Sequence, residues 1–151
     1  QDGAGRRLAK QLGAMAIFRH LDVASEKDWK AAVEATARKF GRFDILVNCA
    51  GSNANNRLFQ PGTVDEAREE MAVNYFGLLN MVQAFGPAMR RRRQGAIINM
   101  LSMVSLVNIP RMATYSASKA AAYSLTQAVR AELMPFGTTR TMVRGAPTID
   151  S

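Results

Sequence analysis

Phe43-Asp44-Ile45-Leu46-Val47-Asn48-Cys49-Ala50-Gly51 is an apolar run that breaks into a polar, glycine-ended turn. Before it, Ser25-Glu26-Lys27-Asp28 offers an N-cap with an acidic residue at N3. Trp29, Ala32, Val33, Thr36 and Phe40 then recur at helical spacing, and Gly41 stops the run. A buried strand that follows a helix, and whose end turns into Asn and Gly, is half of a β-α-β unit. The rest of the chain can be read outward from it.

Upstream, residues 2–12 predict a short helix with Leu8, Ala9 and Leu12 on one side. Ala16 to Val23 predicts a strand that ends in the acidic Asp22. Gly3-Ala4-Gly5 begins like a phosphate-binding glycine loop, but it lacks the third glycine and a preceding strand, so it reads as a helix N-terminus. Downstream, a polar loop runs from Ser52 to Gly62, and Thr63-Val64-Asp65-Glu66 predicts a capping box for a helix through about Arg91. Ala96 to Met100 predicts a second buried strand, followed by a loop through Pro110 and Arg111. An alanine-rich helix over 114–134 follows, closed by Pro135-Phe136-Gly137, and Thr139 to Val143 is compatible with one more strand. Strands alternating with helices of this length predict an α/β domain with a parallel sheet covered on both faces, since parallel neighbours require helical crossovers. No repeat or linker divides the chain, so residues 1–151 read as a single domain.

Bulk properties narrow the function classes. The chain has 151 residues, 48% of them hydrophobic and 21% charged, in the range of folded globular proteins. No apolar run approaches the roughly 18–20 residues that span a bilayer, and the N-terminus lacks the layout of a secretory signal, which predicts a cytoplasmic protein without a membrane partner. The one cysteine, Cys49, excludes an internal disulfide and leaves too few soft ligands for a structural zinc site. Its reading is a packed thiol. The net charge of +8 raises the question of nucleic acid. The densest basic run, Arg90 to Arg93, sits where cations favour a helix C-terminus, with Gly95 as the residue that closes it. It reads as a solvated helix end. No aromatic interleaving or finger spacing supports a nucleic-acid site.

The chemistry centres on Tyr115 and Lys119, one helical turn apart and so on one side of the alanine-rich helix. A phenol ordinarily ionises near pH 10. An ammonium about 5 Å away favours its ionised form by roughly 3 kcal/mol at an effective dielectric of about 20. Such pairs are also common and idle, so the context decides. Ser102 lies just past a strand end, where a hydroxyl can stabilise charge on a carbonyl oxygen, or else be an ordinary loop hydroxyl. Asn48 and Asp22 end apolar strands, where they read as strand-end polar groups or as a turn residue and a cap. Asn74 interrupts the apolar Met71-Ala72-Val73-Asn74-Tyr75-Phe76 and needs a partner, either a ligand or the core itself.

The set Leu21-Asp22-Val23, Asn48-Cys49-Ala50-Gly51, Asn74-Tyr75-Phe76-Gly77, Ile98-Asn99 with Ser102 thirteen residues before Tyr115, and Tyr115-Ser116-Ala117-Ser118-Lys119 resembles the short-chain dehydrogenases/reductases in order and spacing. The resemblance spans Asp2 to about Gly137. It implies a Rossmann-like doubly wound parallel sheet, here incomplete, and an oxidoreductase using NAD or NADP. The reaction would be hydride transfer between the nicotinamide and a carbonyl or alcohol substrate. It implies Tyr115 as the acid/base, Lys119 as its modulator and a holder of the nicotinamide ribose, Ser102 as the group orienting the substrate oxygen, and Asn74 as the anchor of a relay water. Asp22 and Val23 would contact the adenine end, and Asn48, Ala50 and Gly51 would line the cofactor cleft. Cys49 stands where the family more often has a second Asn, and His20 matches no motif and reads as structural.

The resemblance also implies homo-oligomerisation through the 64–91 and 114–134 helices. It implies that the family's first strand with its glycine-rich pyrophosphate loop would precede Gln1, and that the substrate-covering segment would follow the chain. This stretch alone is accordingly expected to bind cofactor poorly. Within the enzyme reading, a 3-oxoacyl or small-ketone reductase stands beside an alcohol, sugar or steroid dehydrogenase. Outside it stands a truncated or non-catalytic member acting as a folded scaffold.

Overall fold

A computed structural model of the chain describes residues 2–136, together with the backbone of 143–144. Helices α1 (Asp2–Leu12) and α2 (Glu26–Phe40) precede strand β1 (Ile45–Asn48). Helix α3 (Thr63–Met71) passes through a wider π-type turn, Ala72–Gly77, into α4 (Leu78–Arg92). Strand β2 (Ala96–Met100), helix α5 (Ala113–Leu133) and strand β3 (Val143–Arg144) complete the order. The strands form one parallel sheet in the order β1-β2-β3, with Leu46 beside Ile97, Asn48 beside Asn99, and Asn99 beside Val143. Residues 139–142 of the predicted last strand lie outside the described residues.

The local signals around α2 work as expected: the Ser25 side chain accepts from the Asp28 N–H, and Gly41 closes the helix in the left-handed region at φ 75°. The capping box at Thr63 does not form. Gly62 holds the N-cap position instead, and Thr63 is the first helical residue. Its hydroxyl turns back to the Arg57 and Gln60 carbonyls, at 2.9 and 2.8 Å, and so ties down the preceding loop. At the far end, Arg93 rather than Gly95 takes the left-handed closing position of α4, at φ 54°. The basic run is also more than a solvated end. Arg92 donates to the Phe43 carbonyl and reaches Asp44 at 3.2 Å, Arg90 lies 4.3 Å over the Phe136 ring, and Arg93 reaches the Pro135 carbonyl. These cations anchor the loop before β1 and the end of α5 to α4.

The core lies on one face of the sheet. Met89, Ile97, Val129 and Leu133 form one buried cluster with Phe43 and Leu46 against it, and Leu78, Leu101 and Ala122 form a second. Because strand side chains alternate, Leu46 and Ile97 face α4 and α5 together, whereas Ile45 and Val47 face the other way. They are 64% and 54% exposed. Two-sided burial therefore does not hold for β1 among the described residues.

The predicted strand from Ala16 to Val23 is also corrected: this stretch has no ladder with any described strand and continues into a turn. Apolar alternation favours an extended chain, but a strand also needs a neighbour to take its hydrogen bonds. The stretch is held by side chains instead. Val23 packs onto Gly77, where an added Cβ would come within 2.4 Å of its Cγ2, and its carbonyl accepts from Asn80 Nδ2 at 3.0 Å. No described helix is long and apolar enough to cross a membrane.

Candidate active site

Asn74 sits in the π-type turn between α3 and α4. A turn of this kind adds one residue to the helix and redirects the side chains that follow it. Only 2% of Asn74 is exposed, so its amide must be satisfied from within. Its Oδ1 accepts from the Ser52 N–H at 2.9 Å, and its Nδ2 donates to the Ser52 carbonyl and to Ser118 Oγ, each at 2.8 Å. Ser118 Oγ in turn donates to the Tyr115 carbonyl at 2.7 Å. A continuous polar chain thus runs from the segment after β1 to the first turn of α5.

Lys119 follows on the same helix. Its Nζ donates to the Met100 carbonyl at the end of β2, at 3.2 Å, and lies 5.8 Å from the centre of the Tyr115 ring. Burial pushes the Lys119 ammonium below the ordinary lysine range, and the neighbouring Cys49 opposes part of that shift. The two side chains share the helix side that their spacing predicts. Gly51 completes this corner. A Cβ added there would stand 3.3 Å from Asn74 Oδ1 and 3.4 Å from Lys119 Nζ, so the backbone passes close to both groups because it carries no side chain.

A cleft of about 340 Å³ opens beside this corner, and its walls include Val23, Asn48, Ala50, Asn74 and Lys119. Asn48 does not stand alone in it: its Nδ2 donates to Asn99 Oδ1 at 2.8 Å, and Asn99 Nδ2 donates to Thr126 Oγ1 at 2.9 Å. Asp22, Ser102 and Tyr115 are not part of that wall. Asp22 caps its own turn, its Oδ1 accepting from the Ala24 N–H at 2.9 Å, while its N–H donates to Asp28 Oδ2. Ser102 caps the short turn Met103–Ser105, with its Oγ accepting from the Val104 N–H at 3.4 Å and its carbonyl accepting from the Ser105 hydroxyl. Cys49 is exposed at the cleft, which corrects its reading as a packed thiol. His20 pairs with Asp2 at 3.0 Å, and this partner raises its pKa above the ordinary histidine value.

Two residues of this network carried no assignment in the sequence reading. Asn99, with none of its surface exposed, joins the strand end bearing Asn48 to α5. Glu70 is 1% exposed on α3, one turn before Asn74, and its Oε1 accepts from the Ala54 N–H at 2.9 Å. A carboxylate on the inward stripe of a helix, four residues before an inward asparagine, was the available signal.

The model of the short chain dehydrogenase family matches residues 1–148, and the chain belongs to that family. It is 34% identical over 134 residues to the 3-ketodihydrosphingosine reductase of Bacteroides thetaiotaomicron, covering 89% of this chain and 49% of that protein. It is 31% identical over 147 residues to human 3-hydroxyacyl-CoA dehydrogenase type-2, covering 90% and 56%. A crystal structure of a short-chain dehydrogenase from Streptomyces avermitilis superposes with a TM-score of 0.87 at 27% identity, over 95% of this chain and 52% of that one. One from Burkholderia cenocepacia, in complex with NADP, superposes with a TM-score of 0.73 at 38% identity, over 83% and 50%. The chain spans about half the length of the relatives it matches. Its fold is the Rossmann-like α/β fold of these structures, with an incomplete sheet.

Proposed function

We propose that the protein is an NAD(P)-dependent oxidoreductase that moves a hydride between a nicotinamide cofactor and a carbonyl or alcohol substrate. Residues 1–151 form one partial cofactor-binding domain of it. The observation that carries this reading is the corner where Asn74, Ser118, Tyr115 and Lys119 meet Gly51. The nicotinamide, when bound, supplies or accepts the hydride. The residues fit such a group: Gly51 leaves open the space that a Cβ would fill between Asn74 and Lys119, and the apolar and amide-bearing cleft beside it includes Val23, Asn48 and Ala50. Asp22, at the turn that Val23 continues, serves the adenine end of the same cofactor. The NADP complex of the Burkholderia relative and the reductase and dehydrogenase names of the others support the cofactor class and the reaction type.

In the reduction direction, the Tyr115 phenol donates its proton to the substrate oxygen. The Lys119 ammonium steadies the negative charge left on the phenol oxygen, since opposite charges attract strongly where water is partly excluded. The Ser102 hydroxyl donates to the same substrate oxygen and orients it. Asn74 holds the backbone of Ser52 and the side chain of Ser118, which keeps the start of α5 in place while a relay water restores the proton. Oxidation of an alcohol runs the same transfers in reverse. A 3-oxoacyl or small-ketone substrate is the class we favour, because a 3-ketodihydrosphingosine reductase and a 3-hydroxyacyl-CoA dehydrogenase are among the relatives.

The test is Tyr115→Phe in the full-length protein, assayed by NADH or NADPH oxidation with ethyl 3-oxobutanoate. Turnover is expected to fall by about 10²–10⁴-fold, the usual contribution of a positioned acid, with cofactor affinity nearly unchanged. Turnover equal to that of the parent protein sinks the assignment.

A further inference from the structure

The segment Ser52–Asn56 joins the cleft end of β1 to the neighbourhood of Tyr115, and helices hold it at every second residue. Ser52 is held through both its N–H and its carbonyl by Asn74. The Ala54 N–H donates to Glu70 Oε1. Asn56, 5% exposed, accepts from the Thr114 hydroxyl at 3.1 Å, immediately before Tyr115. Between these points the segment closes on itself, with the Asn55 N–H donating to Asn53 Oδ1 at 2.9 Å. Glu70 is therefore the middle of three attachments, and the one made by a carboxylate.

That carboxylate is poorly provided for. Its Oε2 is buried and has no hydrogen-bond partner among the described residues. An apolar side chain on this inward stripe would fill the space without taking an ionisable group out of water, so packing alone does not account for Glu70. Breaks of this kind in otherwise consistent design concentrate where geometry serves function. Its one bond also goes to a backbone N–H that no helix or sheet would otherwise satisfy.

We infer that Glu70 is a positioning residue for the reaction: by pinning Ala54 it fixes the 52–56 segment, and with it the spacing between Gly51 at the cofactor cleft and Thr114-Tyr115 at the acid/base. The inference rests on the reading of Tyr115 given above. Glu70 touches neither substrate nor cofactor. It acts through the segment, as a group that holds reacting parts at a working distance.

The experiment uses the full-length protein and reads two quantities. Amide exchange needs no activity. In the parent protein the Ala54 amide is expected to exchange about as slowly as those of α5, and free exchange there overturns the inference even without a variant. In Glu70→Leu, exchange across 52–56 is expected to quicken about tenfold or more, with Leu125 to Leu133 unchanged. Turnover of ethyl 3-oxobutanoate with NADH or NADPH is expected to fall about tenfold, with KM for the ester within about twofold. Glu70→Gln, which keeps the acceptor, is expected to restore both. Quickened exchange throughout α5 would mark a merely structural residue, and unchanged turnover with unchanged exchange would leave Glu70 no role in positioning. Either result overturns the inference. A fully active Tyr115→Phe protein that retains the exchange contrast overturns the acid/base assignment alone.

Discussion

The α5 side and the N-terminal side of the fold are built differently. On the α5 side, Asn48, Asn99 and Thr126 form one partly to fully buried relay, and Ser52, Asn74, Ser118 and Tyr115 form another, tying strand ends and helices together with bonds of 2.7–2.9 Å. On the N-terminal side, α1 has no buried residue, and Leu8 and Leu12 are exposed. It meets the 16–23 stretch through the exposed Asp2–His20 pair and the Arg6–Phe18 contact, 5.9 Å from cation to ring centre. Desolvated hydrogen bonds are costly to break because water does not replace them, while exposed ion pairs exchange readily with solvent and salt. The contrast places the better-shielded hydrogen bonds around the proposed acid/base.

The sharpest way to break this contrast is Asn99→Ala. It leaves the buried Thr126 hydroxyl and the half-buried Asn48 amide without their shared partner, and is expected to destabilise the full-length protein by about 3 kcal/mol in urea denaturation with an unchanged slope. A loss under about 1 kcal/mol would deny the relay its structural weight. Lys119→Met comes next and has the opposite sign. Burial lowers the lysine's pKa, so the unfolded chain holds more protons than the folded one between the folded value and about 10.4. The parent should therefore gain stability as pH rises through that window. The methionine variant should lose this alkaline gain and be at least as stable at neutral pH, while turnover collapses. A parent stability that falls with pH across the window would contradict the burial argument.

Smaller still is Asn80→Ala, which removes the amide holding the Val23 carbonyl and should cost about 1 kcal/mol, along with faster proteolysis near Val23. His20→Gln should be smallest. Asp2 raises the His20 pKa, so any stabilisation is complete below about pH 6.5 and fades as pH rises through the folded value. Because the pair is exposed, the variant should leave the denaturation midpoint unchanged at neutral pH and only flatten a slight acid-side slope. A large acid-side loss would show that the N-terminal side is not held loosely.

How much of this was legible in the residues follows the same division. The helix spacing of Tyr115 and Lys119 and the Ser25 cap were readable because each depends on neighbours a few positions away, and β1 and β2 were readable from their apolar runs. The Ala16–Val23 stretch was misread because a strand exists only with a partner, which no local pattern contains. Two-sided burial of β1 failed for a related reason: apolar letters state a preference for burial, not the presence of a cover. Asn74 was legible as an anomaly, but its partners, Ser52 and Ser118, lie 22 and 44 positions away. Glu70 escaped because charge on a helix ordinarily signals solvent, and its bond to Ala54 depends on how the intervening loop folds back.

The wider turn at Ala72–Gly77 has a consequence for how this stretch tolerates changes in length. One surplus residue is stored there, and each residue of an α-helix advances the direction of its side chains by about 100°. Deleting a single residue from 72–77 would remove that surplus, let α3 and α4 merge into one regular helix and leave Leu78, Met81, Phe85 and Met89 close to their present directions. The bulge thus works as slack between two halves of one rod: it absorbs a one-residue change in length that a regular helix would pass on to every later side chain.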